Sequence, residues 1–143
     1  MESPLGVAFK HDGNYSHVFD QNGEQVGEMV TSKDLMGARN AKNFFGNVYD
    51  GGPVRRTNGI YLEDSFKGQG LGQKLYLFHM AHFPGTWFYN SQTWADATNT
   101  LKTLGNKGLV ELYWHKEPQF GEEGGIHLSR LTPQGAQVAA TLK

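Results

Sequence analysis

Three glycines alternate with larger residues in Lys67-Gly68-Gln69-Gly70-Leu71-Gly72, and each lets the backbone approach a ligand that a side chain would hold off. Leu71, Leu75, Phe78 and Ala81 then follow at i, i+4, i+7 and i+10, which is the stripe of a helix with one apolar face. A helix that begins there turns unpaired amides and the positive end of its dipole toward the loop. A phosphate is well received at such a place. Spacing separates this loop from two other phosphate loops. The nucleotide-hydrolase loop requires Gly-Lys-Ser/Thr after four intervening residues, and the dinucleotide fingerprint requires glycine or alanine where Gln73 stands.

Other residues with chemical potential are weaker. His79 and His82 lie three apart on the predicted helix, but no carboxylate or third histidine completes a metal set, so no metal is expected and both read as surface or partly buried histidines. Arg55-Arg56, beside Gly51-Gly52-Pro53, could guide an acidic substrate, although a solvated loop is the plainer reading. Cysteine is absent, which excludes disulfides, thiolate nucleophiles and sulfur-ligated metals. Thirteen Lys plus Arg against fourteen Asp plus Glu give a net charge of −1, so no global attraction to nucleic acid or anionic membrane arises.

The elements that must position the loop follow from pattern. Asn58-Gly59-Ile60-Tyr61-Leu62-Glu63 reads as a strand, with Ile60 and Leu62 on one face and Tyr61 and Glu63 on the other. The order is therefore strand, glycine loop, helix, stopped by Pro84-Gly85. Upstream, Asn22-Gly23 between two strand-like runs predicts a hairpin with a type I′ turn. A short helix is expected within 32–43, and a strand over 44–49. Downstream come a strand at Thr86 to Tyr89, a helix capped by Asn90 or Ser91 with Trp94, Ala97, Leu101 and Leu104 inward, and strands at Leu109 to His115 and Ile126 to Leu131 around a polar loop containing Gly121 to Gly125. A last helix has Thr132 as cap, Pro133 at its first position, and Val138, Ala139 and Leu142 inward.

This order predicts an α/β (α+β) domain spanning residues 1–143, with a mixed, mostly antiparallel sheet flanked by helices. At 38% hydrophobic and 13% aromatic residues the chain has enough apolar material for one core, and its 19 glycines sit in turn-like clusters. No leader-like segment or run of some 18 apolar residues occurs, so a cytoplasmic protein without membrane contact is expected. The edge strands and the C-terminal helix leave room for a homodimer.

The loop and its flanks resemble the GCN5-related N-acetyltransferase (GNAT) family, whose pattern Gln/Arg-x-x-Gly-x-Gly/Ala at a strand-to-helix turn is matched by Lys67 through Gly72. Phe66 and Leu75 stand where the family has an aromatic and an aliphatic residue, Ile60-Tyr61-Leu62 resembles the preceding strand, and Ala97 through Leu104-Gly105 resembles the next helix. The likeness covers 58–110, and small proteins of this type occur in phages. It implies an acetyl-coenzyme A cosubstrate, with its pyrophosphate on the amides of Gln69, Gly70, Leu71 and Gly72 and its pantetheine arm along Tyr61 and Leu62. Gly68 would allow the close approach, and Lys67 would keep the positive charge of the usual Arg or Gln position without a fork. Glu63 would be the base, acting directly or through water. The family's tyrosine acid is replaced by Leu101, which leaves Tyr89 or Ser91 to stand in.

The implied activity is transfer of an acetyl group to an amine of a protein or small molecule. A catalytically silent GNAT-like protein that binds a partner protein is the alternative to which Leu101 points. The C-terminal half also resembles a MarR-like winged helix, with Lys102, Lys107, Lys116 and Arg130 as its thin basic set. Nucleic acid is not the expected partner.

Overall fold

A computed structural model describes residues 6–90, 95–116 and 125–142. Its seven strands are β1 (Ala8–Asp12), β2 (Tyr15–Phe19), β3 (Gln25–Lys33), β4 (Val54–Leu62), β5 (Trp87–Asn90), β6 (Val110–Lys116) and β7 (Gly125–Leu131), interspersed with α1 (Leu35–Phe45), α2 (Leu71–Ala81), α3 (Ala95–Asn106) and α4 (Pro133–Ala140). They form a single sheet in the order β1-β2-β3-β4-β5-β7-β6. Every neighbouring pair is antiparallel except β4 and β5. This is the mixed, mostly antiparallel sheet expected from the element order. It joins β6 and β7 to the sheet through β5, so the strands that resemble a wing belong to the same sheet as the glycine loop. Ser91, Trp94 and the loop residues 121–124 lie outside the described residues.

Each sheet face carries its own core. On one face Val18, Met29 and Phe88 meet Leu71, Leu75 and Phe78 of α2, Leu101 and Leu104 of α3, and Ala139 of α4. On the other, Val54, Trp87, Tyr89, Ile126 and Leu128 meet Ala41 and Phe45 of α1. The period-two alternation of β5 sends Phe88 to the first face and Trp87 and Tyr89 to the second. Helix α4 opens as expected, with Thr132 Oγ1 accepting from the Gly135 amide at 3.0 Å.

Several local expectations are corrected. No strand runs over 44–49: Phe44 and Phe45 end α1, and the amides of Val48 and Tyr49 fold back on the Phe45 carbonyl. The spacing of Ala41 and Phe45, which buries both, prevails over the strand preference of the aromatics. The β2–β3 connection is longer than a two-residue turn. The Gly23 amide donates to the Asp20 carbonyl, the Asp20 amide to the Glu24 carbonyl, and Gly23 carries φ +80°. Asp20 Oδ1 also accepts from the amides of Asn22 and Glu24, a local bond that favours the wider loop. Arg55 and Arg56 belong to β4, not to a loop, and Arg55 is buried. His79 is fully buried, whereas Val138 is exposed at the surface of α4.

Candidate active site

The site begins where β4 and β5 part. Their parallel pairing covers Val54 with Trp87, Arg55 with Phe88 and Arg56 with Tyr89. From Thr57 onward β4 has no strand partner on that side among the described residues, while its other edge stays paired to β3. The register with β3 shifts between Val30 and Thr31, so that Asn58 is the extra residue on β4. A bulge of this kind bends its strand and raises the local twist, which carries the rest of β4 away from β5. At the parting point a side-chain bond follows the last strand pair: Thr57 Oγ1 donates to Asn90 Oδ1 at 2.6 Å.

The opening is a cleft of about 680 Å³. Ile60, Tyr61 and Leu62 of β4 form one wall, Lys67, Gly68, Gly70 and Gly72 close one end, Gln73 and Tyr76 of α2 form the floor, and Asn99 and Thr100 of α3 face them. After Leu62 the Glu63 amide still donates to Val26, and a single 3₁₀ turn over Asp64–Phe66 sets up the glycine loop. Gly68 and Gly70 both have φ +77°, and Gly70 is the N-cap of α2. Non-glycine residues pay a steric cost in this region. No backbone acceptor among the described residues takes the amides of Gln69, Gly70, Leu71 or Gly72, and the first amide bonded in this stretch is that of Lys74, to Gly70. The helix therefore offers its free N–H groups at the closed end of the cleft.

The structure brings Tyr61, Leu62, Lys67, Gly68, Gly70 and Gly72 to this one cleft. Leu71 sends its side chain into the core and leaves only its backbone to the loop. Gln69 is exposed, and its side chain bonds the Ser65 carbonyl at 3.4 Å. Lys67 pairs with Asp64 at 3.2 Å on the exposed rim. Tyr61 turns its hydroxyl outward, where it accepts from Gln25 at 3.0 Å.

Glu63 and Tyr89 do not line the cleft and do not meet each other. Glu63 is exposed at the loop end of β4, six residues along the strand from Thr57. Tyr89 packs into the core on the α1 face, where its hydroxyl accepts from Asn40 at 3.4 Å. Sequence reasoning assigned Tyr76 no role at the site and read Asn90 only as a possible helix cap, whereas it ends β5. Tyr76 sits one turn after Gly72, on the same helix face, and that spacing was a usable signal. Its hydroxyl accepts from Asn90 Nδ2 at 3.5 Å, and burial pushes its pKa up to about 12.

No family model and no curated protein sequence matches the chain. Solved structures do. A bacterial toxin superposes with a TM-score of 0.61 at 16% identity, covering 90% of this chain and 72% of that one. A histone acetyltransferase HPA2 and related acetyltransferase from Corynebacterium glutamicum gives 0.54 at 17% identity, covering 91% and 68%. The NatB acetyltransferase complex bound to CoA gives 0.51 at 12% identity, covering 84% and 74%. At such identities the likeness is one of fold, and the chain has the GNAT fold.

Proposed function

We propose that the protein binds acetyl-coenzyme A in the cleft between β4 and α2 and transfers its acetyl group to an amine. The observation that carries this reading is the continuity of two backbone surfaces: free amides at the start of α2 and the open edge of β4. The first suits a pyrophosphate, and the second suits an extended arm that carries amides of its own. From Leu62 back to Thr57 the open edge runs five residues at about 3.3 Å each, or about 17 Å. The arm thus leads from the loop to the point where β4 and β5 part. A solved neighbour of the same fold, the NatB complex, contains CoA, which supports the choice of ligand.

In the transfer the amine nitrogen attacks the thioester carbonyl, the C–N bond forms, and the C–S bond breaks with its electron pair going to sulfur. The step needs a base for the ammonium proton and donors for the charge that develops on oxygen and sulfur. Glu63 remains a base only through intervening water, since its place at the loop end is far along β4 from the parting point. Tyr89 faces the other side of the sheet. One observation favours a silent, partner-binding protein instead: Leu101, at the family's tyrosine position, is fully buried in the core and offers no acid.

Calorimetry with acetyl-coenzyme A and desulfo-coenzyme A tests the reading on the unaltered protein and on Gly72→Glu. A Cβ at Gly72 would meet the Thr100 side chain at 3.6 Å, an ordinary contact, and a carboxylate in a first helical turn favours the fold. The same carboxylate would repel a pyrophosphate. Binding of both ligands is expected, weakened about tenfold or more in Gly72→Glu, equivalent to about 1.4 kcal/mol, with an unchanged melting curve. No binding by the unaltered protein would overturn the proposal. Binding without turnover across a panel of amines would favour the silent reading, and salt-dependent binding to duplex DNA without coenzyme binding would favour the winged-helix one.

A further inference from the structure

The geometry points to the Tyr76 hydroxyl as the hydrogen-bond donor to the coenzyme sulfur at the deep end of the cleft. The inference rests on the coenzyme reading of that cleft and adds the group that would act on its reacting end.

Three side chains meet where β4 and β5 part, and donor logic orders them. The short 2.6 Å contact joins Thr57 Oγ1 to Asn90 Oδ1, so Thr57 donates and the Asn90 carbonyl accepts. The Asn90 amide nitrogen then faces the Tyr76 oxygen at 3.5 Å and must donate to it. Tyr76 is therefore an acceptor within the protein, and no acceptor among the described residues takes its own proton. Tyr76 is 2% exposed yet lines the cleft, so that proton is available to a ligand and sheltered from bulk water. The other tyrosine of the cleft, Tyr61, is 49% exposed and has its hydroxyl on the rim with Gln25.

The hydroxyl donates without giving up its proton. With a pKa pushed to about 12 by burial, it stays protonated at any working pH and is a weaker acid than a thiol. As the C–S bond breaks, the pair goes to sulfur and the Tyr76 O–H stabilises the thiolate that results. The proton that finally reaches sulfur is the one released by the amine. Such a donor, preset in a water-poor site, acts on charge present in the transition state and absent from the ground state.

A measurement on bound coenzyme A needs no knowledge of the acceptor. The thiolate fraction of coenzyme A held by the protein is followed by ultraviolet absorbance against pH, for the unaltered protein, Tyr76→Phe and Thr57→Val. Desulfo-coenzyme A affinity is measured in parallel. In Tyr76→Phe the thiolate fraction near neutral pH is expected to fall about tenfold, because hydrogen bonding to the charged form is lost, while desulfo-coenzyme A binds within about twofold. Thr57→Val frees the Asn90 carbonyl to take the Tyr76 proton, so the thiolate fraction is expected to fall there too with the tyrosine still in place. This second variant carries the test if Tyr76→Phe fails to fold. An equal thiolate fraction in all three proteins, with desulfo-coenzyme A still bound, would overturn the role of Tyr76 and leave the cleft assignment standing. Failure of the unaltered protein to bind desulfo-coenzyme A would overturn both.

Discussion

At the scale of residues, the buried polar chain under α2 shows how one obligate donor orders its neighbours. Arg55 Nε donates to Thr31 Oγ1 at 2.9 Å, so the Thr31 hydroxyl turns its proton to His79 Nε2 at 2.7 Å. His79 must then be neutral with its proton on Nδ1, which donates to Ser16 Oγ at 2.7 Å, and Ser16 in turn donates to His11 Nδ1 at 2.9 Å. Burial first, and then the charges of His11, Arg55 and His82, push the His79 pKa down to about 3. The unfolded chain therefore binds a proton that the folded one refuses between the ordinary histidine value and about 3. The share of stability carried by His79 is expected to be full above about pH 6.5 and to fall by about 1.4 kcal/mol per pH unit below it, as read from urea melts at stepped pH. His79→Leu should remove that share of the slope and leave the share of His127, whose pKa burial and then the charge of Lys102 push down to about 4. It should also cost about 2–4 kcal/mol at neutral pH, because the buried Ser16 and Thr31 hydroxyls each lose a partner.

At the scale of elements, α4 is held to the sheet by two contacts near its start. The Thr132 hydroxyl caps the helix through Gly135 and itself donates to the Gly108 carbonyl at 2.7 Å. Thr132→Ala should cost about 1 kcal/mol in chemical denaturation. Gly135 answers a different demand: a Cβ there would run into the carbonyl oxygen of Leu109 and crowd Leu131. Gly135→Ala should therefore cost about 1–3 kcal/mol or more, as overpacking does, even though alanine is the better helix former. The comparison of the two variants in one melting series separates a lost cap from a lost close approach.

At the scale of the molecule, the β1–β2 hairpin, β3, β4 and α2 are joined through one polar chain. His11 stacks on His82, the C-cap of α2, with ring centroids 4.0 Å apart, and Arg55 lies 3.8 Å over the ring of Phe83, the next residue. The glycine loop opens the same helix, so a ligand seated there steadies a unit that spans the sheet. By mass action, coenzyme at a hundred times its dissociation constant should add about 2.7 kcal/mol of stability, a rise of roughly 5–11 °C in melting temperature. Differential scanning fluorimetry checks this, and a tenfold weaker Gly72→Glu should keep only about 1.4 kcal/mol, about half of the rise, at the same ligand concentration.

The glycine loop, the helix after it and the strand before it were legible in the sequence, because a turn residue and a helical stripe act on chain neighbours. The alternation of elements was likewise enough for the mixed sheet. Other features depended on partners remote in the chain. Arg55 became a buried strand residue because Thr31 and Asn14 accept its protons, and residues 44–49 took no strand because Phe45 packs against the far face of the sheet. The two sides of β5 were separated by the parity of a single strand, which sent Tyr89 toward α1 and Asn90 toward the cleft. No local pattern states where a parallel neighbour will stop pairing. Only the bulge at Asn58 and the sheet around it decided that β4 and β5 part after Arg56 and Tyr89, with Thr57, Asn90 and Tyr76 meeting there across 33 and 14 residues of chain.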